Sequence, residues 1–180
     1  TQKDRTKYKQ AIQHMSQVND EEKAKANLES AENAQKIWDQ ANEAISNHPY
    51  LVTKKADAFG IKHNGQKLLI PLRDDRGKLW NLQQIFPNGK KRFLKNGKVK
   101  GLFHIIGEQT DVIYIGEGYA TMASVHAATG KACVVAFNAG NLRDVCSQVR
   151  ASYPDNEIVV CADDDHLTEG NPGLTKAREA

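Results

Sequence analysis

The sequence predicts an α/β protein: a parallel sheet with flanking helices in its last third, a basic antiparallel β-rich segment before it, and a helical segment first. Three observations predict this. Apolar runs at 111–115, 132–137 and 158–161 alternate with helix-length amphipathic stretches, the β-α-β-α-β grammar of a parallel sheet. The middle of the chain switches to short runs punctuated by glycines. Residues 1–47 contain no glycine or proline and are rich in Ala, Gln, Glu and Lys, which are good helix formers.

In the helical segment, Asn19-Asp20 can cap a helix whose first turn holds Glu21 and Glu22. Leu28, Ala31, Ala34, Trp38, Ala41 and Ile45 then recur at steps of three and four and form one apolar stripe. Ile12, Met15 and Val18 mark an earlier helix. A narrow, alanine-rich face reads either as a docking helix or interdomain arm, or as a helix for a partner. Pro49 ends this segment, and His48 to Leu51 reads as one helical turn.

Lys67 to Leu72 reads as a strand, Asp74-Asp75-Arg76-Gly77 as its turn, and Lys78 to Ile85 as a half-exposed antiparallel partner. Pro87-Asn88-Gly89-Lys90 is a second turn, and Lys91 to Leu94 a third strand. Asp111 to Ile115 is a buried strand closed by Gly116-Glu117-Gly118. A helix over Tyr119 to Thr129 stops at Gly130. Ala132 to Phe137 is the next strand, and Leu142 to Ser152 the next helix. Ile158 to Cys161, a β-branched run expected to be buried on both faces, leads through Ala162 into Asp163-Asp164-Asp165. The expected organisation is a helical arm (1–47), a basic β-rich subdomain (48–106) and the parallel-sheet domain (107–180).

A mean hydropathy of −0.62 and 26% charged residues fit a soluble protein, and no apolar run is long enough to span a membrane. Cys133, Cys146 and Cys161 form no C-x-x-C pair and read as reduced, buried thiols of an intracellular, cytoplasmic protein. The net charge of +3 hides a segregation. Residues 48–106 carry 13 basic and 3 acidic side chains, whereas residues 107–180 carry 5 basic and 11 acidic. Lys90, Lys91, Arg92, Lys95, Lys98 and Lys100 crowd around the second turn. A field of one sign suits a polyanion, nucleic acid or nucleotide phosphate, better than it suits a merely solubilising rim.

The acids carry the chemistry. Glu117 closes the first parallel strand, and Asp163 and Asp165 close the third, with Asp164 turned the other way by the alternation of an extended chain. Open α/β sheets keep their sites at such strand ends. If the strands are neighbours, three carboxylates converge with no basic partner in the same segment. They repel one another unless a hard divalent cation sits between them; Mg2+ fits best and Mn2+ would fit the same oxygens. The flanking glycines leave room for a backbone or a phosphate. The bland reading of Asp163 to Asp165 is a solvated acidic loop.

Gly116-Glu117-Gly118 ending one strand and Asp163-x-Asp165 ending another, two βα units later, resembles the TOPRIM domain of primases, topoisomerases, recombination proteins and some nucleases. The stretches from Leu69 to Leu79, Lys91 to Leu94 and Lys100 to Phe103 resemble the subdomain preceding TOPRIM in bacterial-type DNA primases. The wording of Tyr114 to Thr121, Ala136 to Leu142 and Ala162 to Ala177 is closest to primases of conjugative plasmids and phages. The resemblance covers roughly residues 48–180. It implies a TOPRIM-type fold and metal-dependent synthesis of RNA primers from nucleoside triphosphates on single-stranded DNA, with a replicative helicase as a possible partner. Glu117, Asp163 and Asp165 match the family's catalytic and metal-site acids, and the basic cluster matches its template- or nucleotide-binding region. No zinc-binding module is present, and the chain stops at Ala180 where a TOPRIM domain normally continues, so it reads as a fragment whose own activity is open. A TOPRIM-type nuclease and a non-catalytic nucleic-acid-binding module are the alternatives.

Smaller expectations attach to single residues. His126 reads as a helix-packing histidine, and His166 as a neighbour of the acids within reach of phosphate. Tyr119 could pack or touch nucleotide. Trp80 and Phe86 could be stacking platforms, and a half-buried strand would explain Trp80 as well. Asn138 and Asn141 read as helix caps, with a phosphate contact as the alternative.

Overall fold

The computed structural model describes residues 2–164 and 167–180, the side chains of residues 2–4 and 6 excepted. The chain opens on α1 (Gln2–Asp39), one continuous helix. The boundary expected at Asn19-Asp20 does not exist. These residues cost only a few tenths of a kcal/mol each relative to good helix formers, and the flanking turns carry the helix through them. Its last turns dock by small residues: Ser30, Ala31 and Ala34 are buried, whereas Leu28 and Ile45 at the edges of the expected stripe stay exposed.

The helix lies on a five-stranded antiparallel sheet. Its strands β1 (Asn42–Glu43), β2 (Lys62–Asn64), β3 (Lys67–Arg73), β4 (Leu79–Ile85) and β5 (Lys91–Phe93) are ordered as in the chain. Between β1 and β2 sits α2 (Pro49–Lys54), capped by His48, whose Nδ1 accepts the Tyr50 N–H and whose Nε2 donates to the Gln66 carbonyl. β4 is not half-exposed as expected. Leu69, Leu79 and Leu82 face α1, while Leu68, Ile70, Leu72 and Ile85 pack into the core shared with the second sheet. Both faces are covered, so the polar residues of β4 must be satisfied internally. Buried Asn81 accepts the N–H groups of Leu82 and Leu94 and donates to the Lys98 carbonyl.

The second sheet comprises β6 (His104–Ile106), β7 (Val112–Gly116), β8 (Ala132–Val135) and β9 (Glu157–Cys161), in the order β6-β8-β7-β9. β7 runs parallel to both β8 and β9, and β6 is antiparallel to β8. α3 (Tyr119–Thr129) packs between the two sheets, while α4 (Leu142–Ser152) covers the other face through Leu142, Val145 and Val149. A short α5 (Pro172–Glu179) follows β9. β9 lies at the sheet's edge and is only partly buried, against the expectation of burial on both faces. The parallel segment and its helices otherwise follow the sequence reading; β1, β2 and β6, of two or three residues each, were not part of it.

Several contacts join the sheets, a two-way backbone bridge between Arg73 and Phe103 among them. The Tyr119 hydroxyl accepts the Phe59 N–H and donates to the Asp57 carbonyl, so this tyrosine packs and is fully buried. Phe93 meets Phe137 edge-on with ring centroids 6.0 Å apart. Phe137 holds φ +72°, a conformation costing a bulky residue about 1–3 kcal/mol, offset here by burial of its ring. Asn141, expected as a cap, makes no capping bond. Its Oδ1 instead accepts the Gly101 N–H, and its Nδ2 donates to the carbonyls of Leu102 and Ala136.

Asn141→Ala would strand these three backbone groups in the interior, so we expect a loss of roughly 3 kcal/mol, read as a lower urea midpoint at unchanged slope. A second prediction concerns pH. His104 is buried and Nε2 donates to the Phe59 carbonyl; burial pushes its pKa down to about 4. The folded state therefore holds it neutral while the unfolded chain titrates at about 6.5. Its contribution is complete above the unfolded value and is lost as the pH falls from there through the folded value, on the order of 3 kcal/mol in all. Urea titrations between neutral pH and pH 4 should show this slope, and His104→Gln should flatten it.

Candidate active site

The site begins with a register. β7 and β9 pair in parallel with Gly116 opposite Cys161. Glu117 is the next residue after β7, and Asp163 follows β9 by two, so both carboxylates leave the same edge of neighbouring strands, each half-buried. Asp164 turns away and accepts a hydrogen bond from Asn171, the residue that caps α5. Asp165 and His166 lie outside the described residues.

The two glycines around Glu117 differ in role. A Cβ on Gly116 would come within 2.7 Å of Met122 Cε and 3.3 Å of the Cys161 carbonyl, so its missing side chain serves packing of the strand end. A Cβ on Gly118 would stand 3.5 Å from Thr121 Oγ1 and 4.0 Å from Lys91 Nζ, at the wall of a groove. Gly118 also begins α3 without a side-chain cap, which leaves the first backbone N–H groups of that helix without a capping side chain.

The groove encloses about 320 Å³. Asp163, Gly118, Thr121 and Ser124 form one wall, and Tyr50, Lys54 and Lys91 the other. It continues along Tyr50, Lys54 and Lys91 into a hollow of about 580 Å³ that reaches Pro87, Asn88 and Gly89. Much of the Lys91 side chain is solvent-accessible, yet partial burial pushes its pKa down and Lys54 acts in the same sense, while Asp163 and Glu117 pull it back up. The acids thus lack a basic partner along the chain but not in space, because the first sheet brings Lys91 to them. Tyr50 and Lys54 were not singled out from sequence. A lysine ending a single helical turn carries no motif, and its place depends on how α2 packs.

The other basic residues disperse. Strand alternation turns Arg92, opposite Gln84, to the face of β5 away from Lys91. Lys98 and Lys78 lie 5.2 Å and 4.0 Å from the Trp80 ring, and the Trp80 Nε1 donates to Asp74. Lys67 stands 5.1 Å from the Phe86 ring. Neither ring is the open platform that a base would need. Lys100 pairs with Asp144 of α4 at 3.7 Å, and Lys90 and Lys95 are exposed in the turns flanking β5. Of the six predicted cations, Lys91 is the one lining the groove among the described residues. His126 contacts the Lys131 carbonyl and the edge of Phe59, a packing role.

Glu117 and Asp163 offer carboxylate oxygens. Burial, and then the Asp163 charge, push the adjacent Cys161 thiol up. This donor set fits a hard divalent cation such as magnesium. Among the described residues no group of three His, Cys, Asp or Glu side chains is gathered, and none of their helices is long and apolar enough to cross a membrane.

Residues 112–180 match the family model described as the Toprim domain. Two Escherichia coli proteins, both called DNA primase TraC, are 40% identical over 162 residues and 38% identical over 193 residues. These alignments cover 82% and 91% of this chain, which spans 15% and 13% of the lengths of those relatives. Among solved structures, the DnaG catalytic core aligns over 63% of this chain and 38% of its own, at 17% identity and a TM-score of 0.44. The bacteriophage T7 lagging-strand DNA polymerase complex, with primase domains of two gp4 subunits bound to an RNA/DNA hybrid and dTTP, aligns over 72% of this chain and 71% of its own, at 15% identity and a TM-score of 0.49. Neither structural score reaches 0.5; by sequence, residues 112–180 are a Toprim domain, and most of the chain is similar to a part of DNA primase TraC.

Proposed function

We propose that this chain is the catalytic-core portion of a primase that joins ribonucleotides on single-stranded DNA. The observation that carries this reading is the pair Glu117 and Asp163 at the ends of paired parallel strands, with Lys91 and Lys54 in the groove beside them. Asp163 and Asp165, with Glu117, would hold one or two Mg2+ or Mn2+ ions. Such ions, when bound, supply positive charge to the nucleotide phosphates and polarise the attacked phosphorus.

The remaining roles belong to the chain itself. Glu117 either ligates a metal or accepts the proton of the primer 3′-hydroxyl. The positive end of α3 and the Lys91 and Lys54 ammonium groups would receive the triphosphate. The template would run along the hollow toward Asn88, and Lys90, Arg92, Lys95, Lys98 and Lys100 would act at longer range by attracting the strand. In the organisation we infer, a helical arm (1–47) and a basic subdomain (48–106) precede the Toprim domain (107–180); β1 and β6 each reach across a boundary to pair with the next sheet. In the longer protein a replicative helicase would deliver the single strand.

Manganese titration followed by NMR should give saturable broadening at residues 114–118 and 160–164, lost in Glu117→Gln/Asp163→Asn with the fold retained. In the full-length protein each single substitution should lower primer synthesis by about 100-fold or more, and removing the metal should abolish it. Near-normal synthesis by a folded variant would remove these residues from the site. Metal-dependent cleavage of the DNA without ribonucleotide incorporation would make the protein a nuclease, and binding without either activity a passive module.

The dispersal of the basic residues yields a separate expectation. Lys91→Ala should reduce nucleotide incorporation by about 10-fold or more, whereas Lys100→Ala, already paired with Asp144, should alter it less than about threefold. Initial rates at fixed ionic strength would check this.

A further inference from the structure

The first half of α1 stands apart from the body. Every described side chain from Arg5 to Lys25 is exposed, and cover begins at Ala26. A helix of this length draws most of its stability from a packed face, and this stretch packs on nothing in a single copy. Yet it carries one: Tyr8, Ile12, Met15 and Val18 are 71%, 50%, 66% and 40% exposed. Their four- and three-residue steps line one side of the helix, with Asn19 completing the seam. The stripe lies on the same side of the helix as Ser30, which is about five turns on from Ile12 and is buried, but it ends at Asn19, about two turns before cover begins at Ala26, so a partner could lie along it without meeting the body.

Charge decides what covers the stripe. Residues 3–9 hold four basic side chains and one acid; residues 10–19 hold no Asp, Glu, Lys or Arg; residues 20–22 are all acids, followed by Lys23 and Lys25. A second copy laid antiparallel sets basic on acidic at both ends. Laid parallel, it sets like on like. We propose that two copies of this chain associate through the first half of α1, antiparallel about a two-fold axis between Ile12 and Met15. In this register Ile12 meets Met15 of the partner subunit, Tyr8 meets the partner's Asn19, and Arg5 meets the partner's Glu22. The paired stretch, residues 5–22, ends before the covered region at Ala26, so the bodies do not collide. The interface is isologous and closes on itself as a dimer. It does not depend on the chemistry proposed for the groove.

The test is sedimentation of the chain across a concentration series, combined with directional cross-linking. A reversible dimer with a dissociation constant in the micromolar range is expected. Glu21→Lys/Glu22→Lys and Lys7→Glu/Lys9→Glu should each weaken it at least tenfold, and an equimolar mixture of the two should restore association as a heterodimer. Tyr8→Cys mixed with Asn19→Cys should form a disulfide-linked pair under mild oxidation, while Tyr8→Cys alone should not cross-link beyond the wild-type background. A monomer throughout the series, failure of the mixture to restore association, or efficient cross-linking of Tyr8→Cys to itself would each overturn the proposal.

Discussion

The parallel pairing of β7 with β9 sets the geometry of the candidate site. With Gly116 opposite Cys161, the residues that follow the two strands emerge side by side. A slip of one residue would turn the alternating faces of β9 over, taking Ile158 and Val160 out of the cluster under α4. The same cluster that holds the edge strand in place thus keeps Asp163 beside Glu117. Gly116 belongs to this constraint, because its lack of a side chain lets Met122 of α3 close against the strand end.

The groove needs a second wall, and the antiparallel sheet supplies it. Sheet and Toprim domain share one apolar core, in which Leu68, Ile70 and Leu72 meet Tyr119, Met122 and Ala123. Burying about a dozen such side chains contributes about 1.5–3 kcal/mol each before entropy is counted, far more than any surface ion pair. Polar groups at the seam are therefore committed to holding it together. Asn141 ties Gly101 and Leu102 to Ala136, and the Tyr119 hydroxyl ties Asp57 and Phe59 to α3. Lys91 reaches the acids as a consequence, since it shares with Phe93 the face of β5 that packs toward Phe137.

Much of this was legible in the residues. Gly130 in a left-handed conformation ends α3 as read, and Leu142–Ser152 forms α4 because its apolar positions recur at helical spacing. The strand-end position of Glu117 and Asp163 followed from apolar runs ending at acids. Other features were not legible. β1, β2 and β6 are too short to show alternation and exist only because a neighbouring strand pairs with them. The α1 boundary at Asn19-Asp20 failed because residues that favour caps also continue a helix when strong formers flank them. The alternation along β4 allows Trp80 either a stacking role or a half-buried place, and it cannot reveal that both faces of the strand are covered.

The sequence by itself determined the local grammar: which runs are strands, where acids follow them, how charge divides between segments, and the Toprim relationship. Tertiary structure decided which of those charges meet. Lys91 lines the groove while Arg92, its immediate neighbour, faces away; Lys100 is spent on Asp144; and Lys54, which no motif marks, joins the site. The physical reason is that spacing along a chain specifies the direction of a side chain only relative to its own element. Strand register and the packing of one sheet on another supply the rest, and they depend on contacts between residues far apart in sequence.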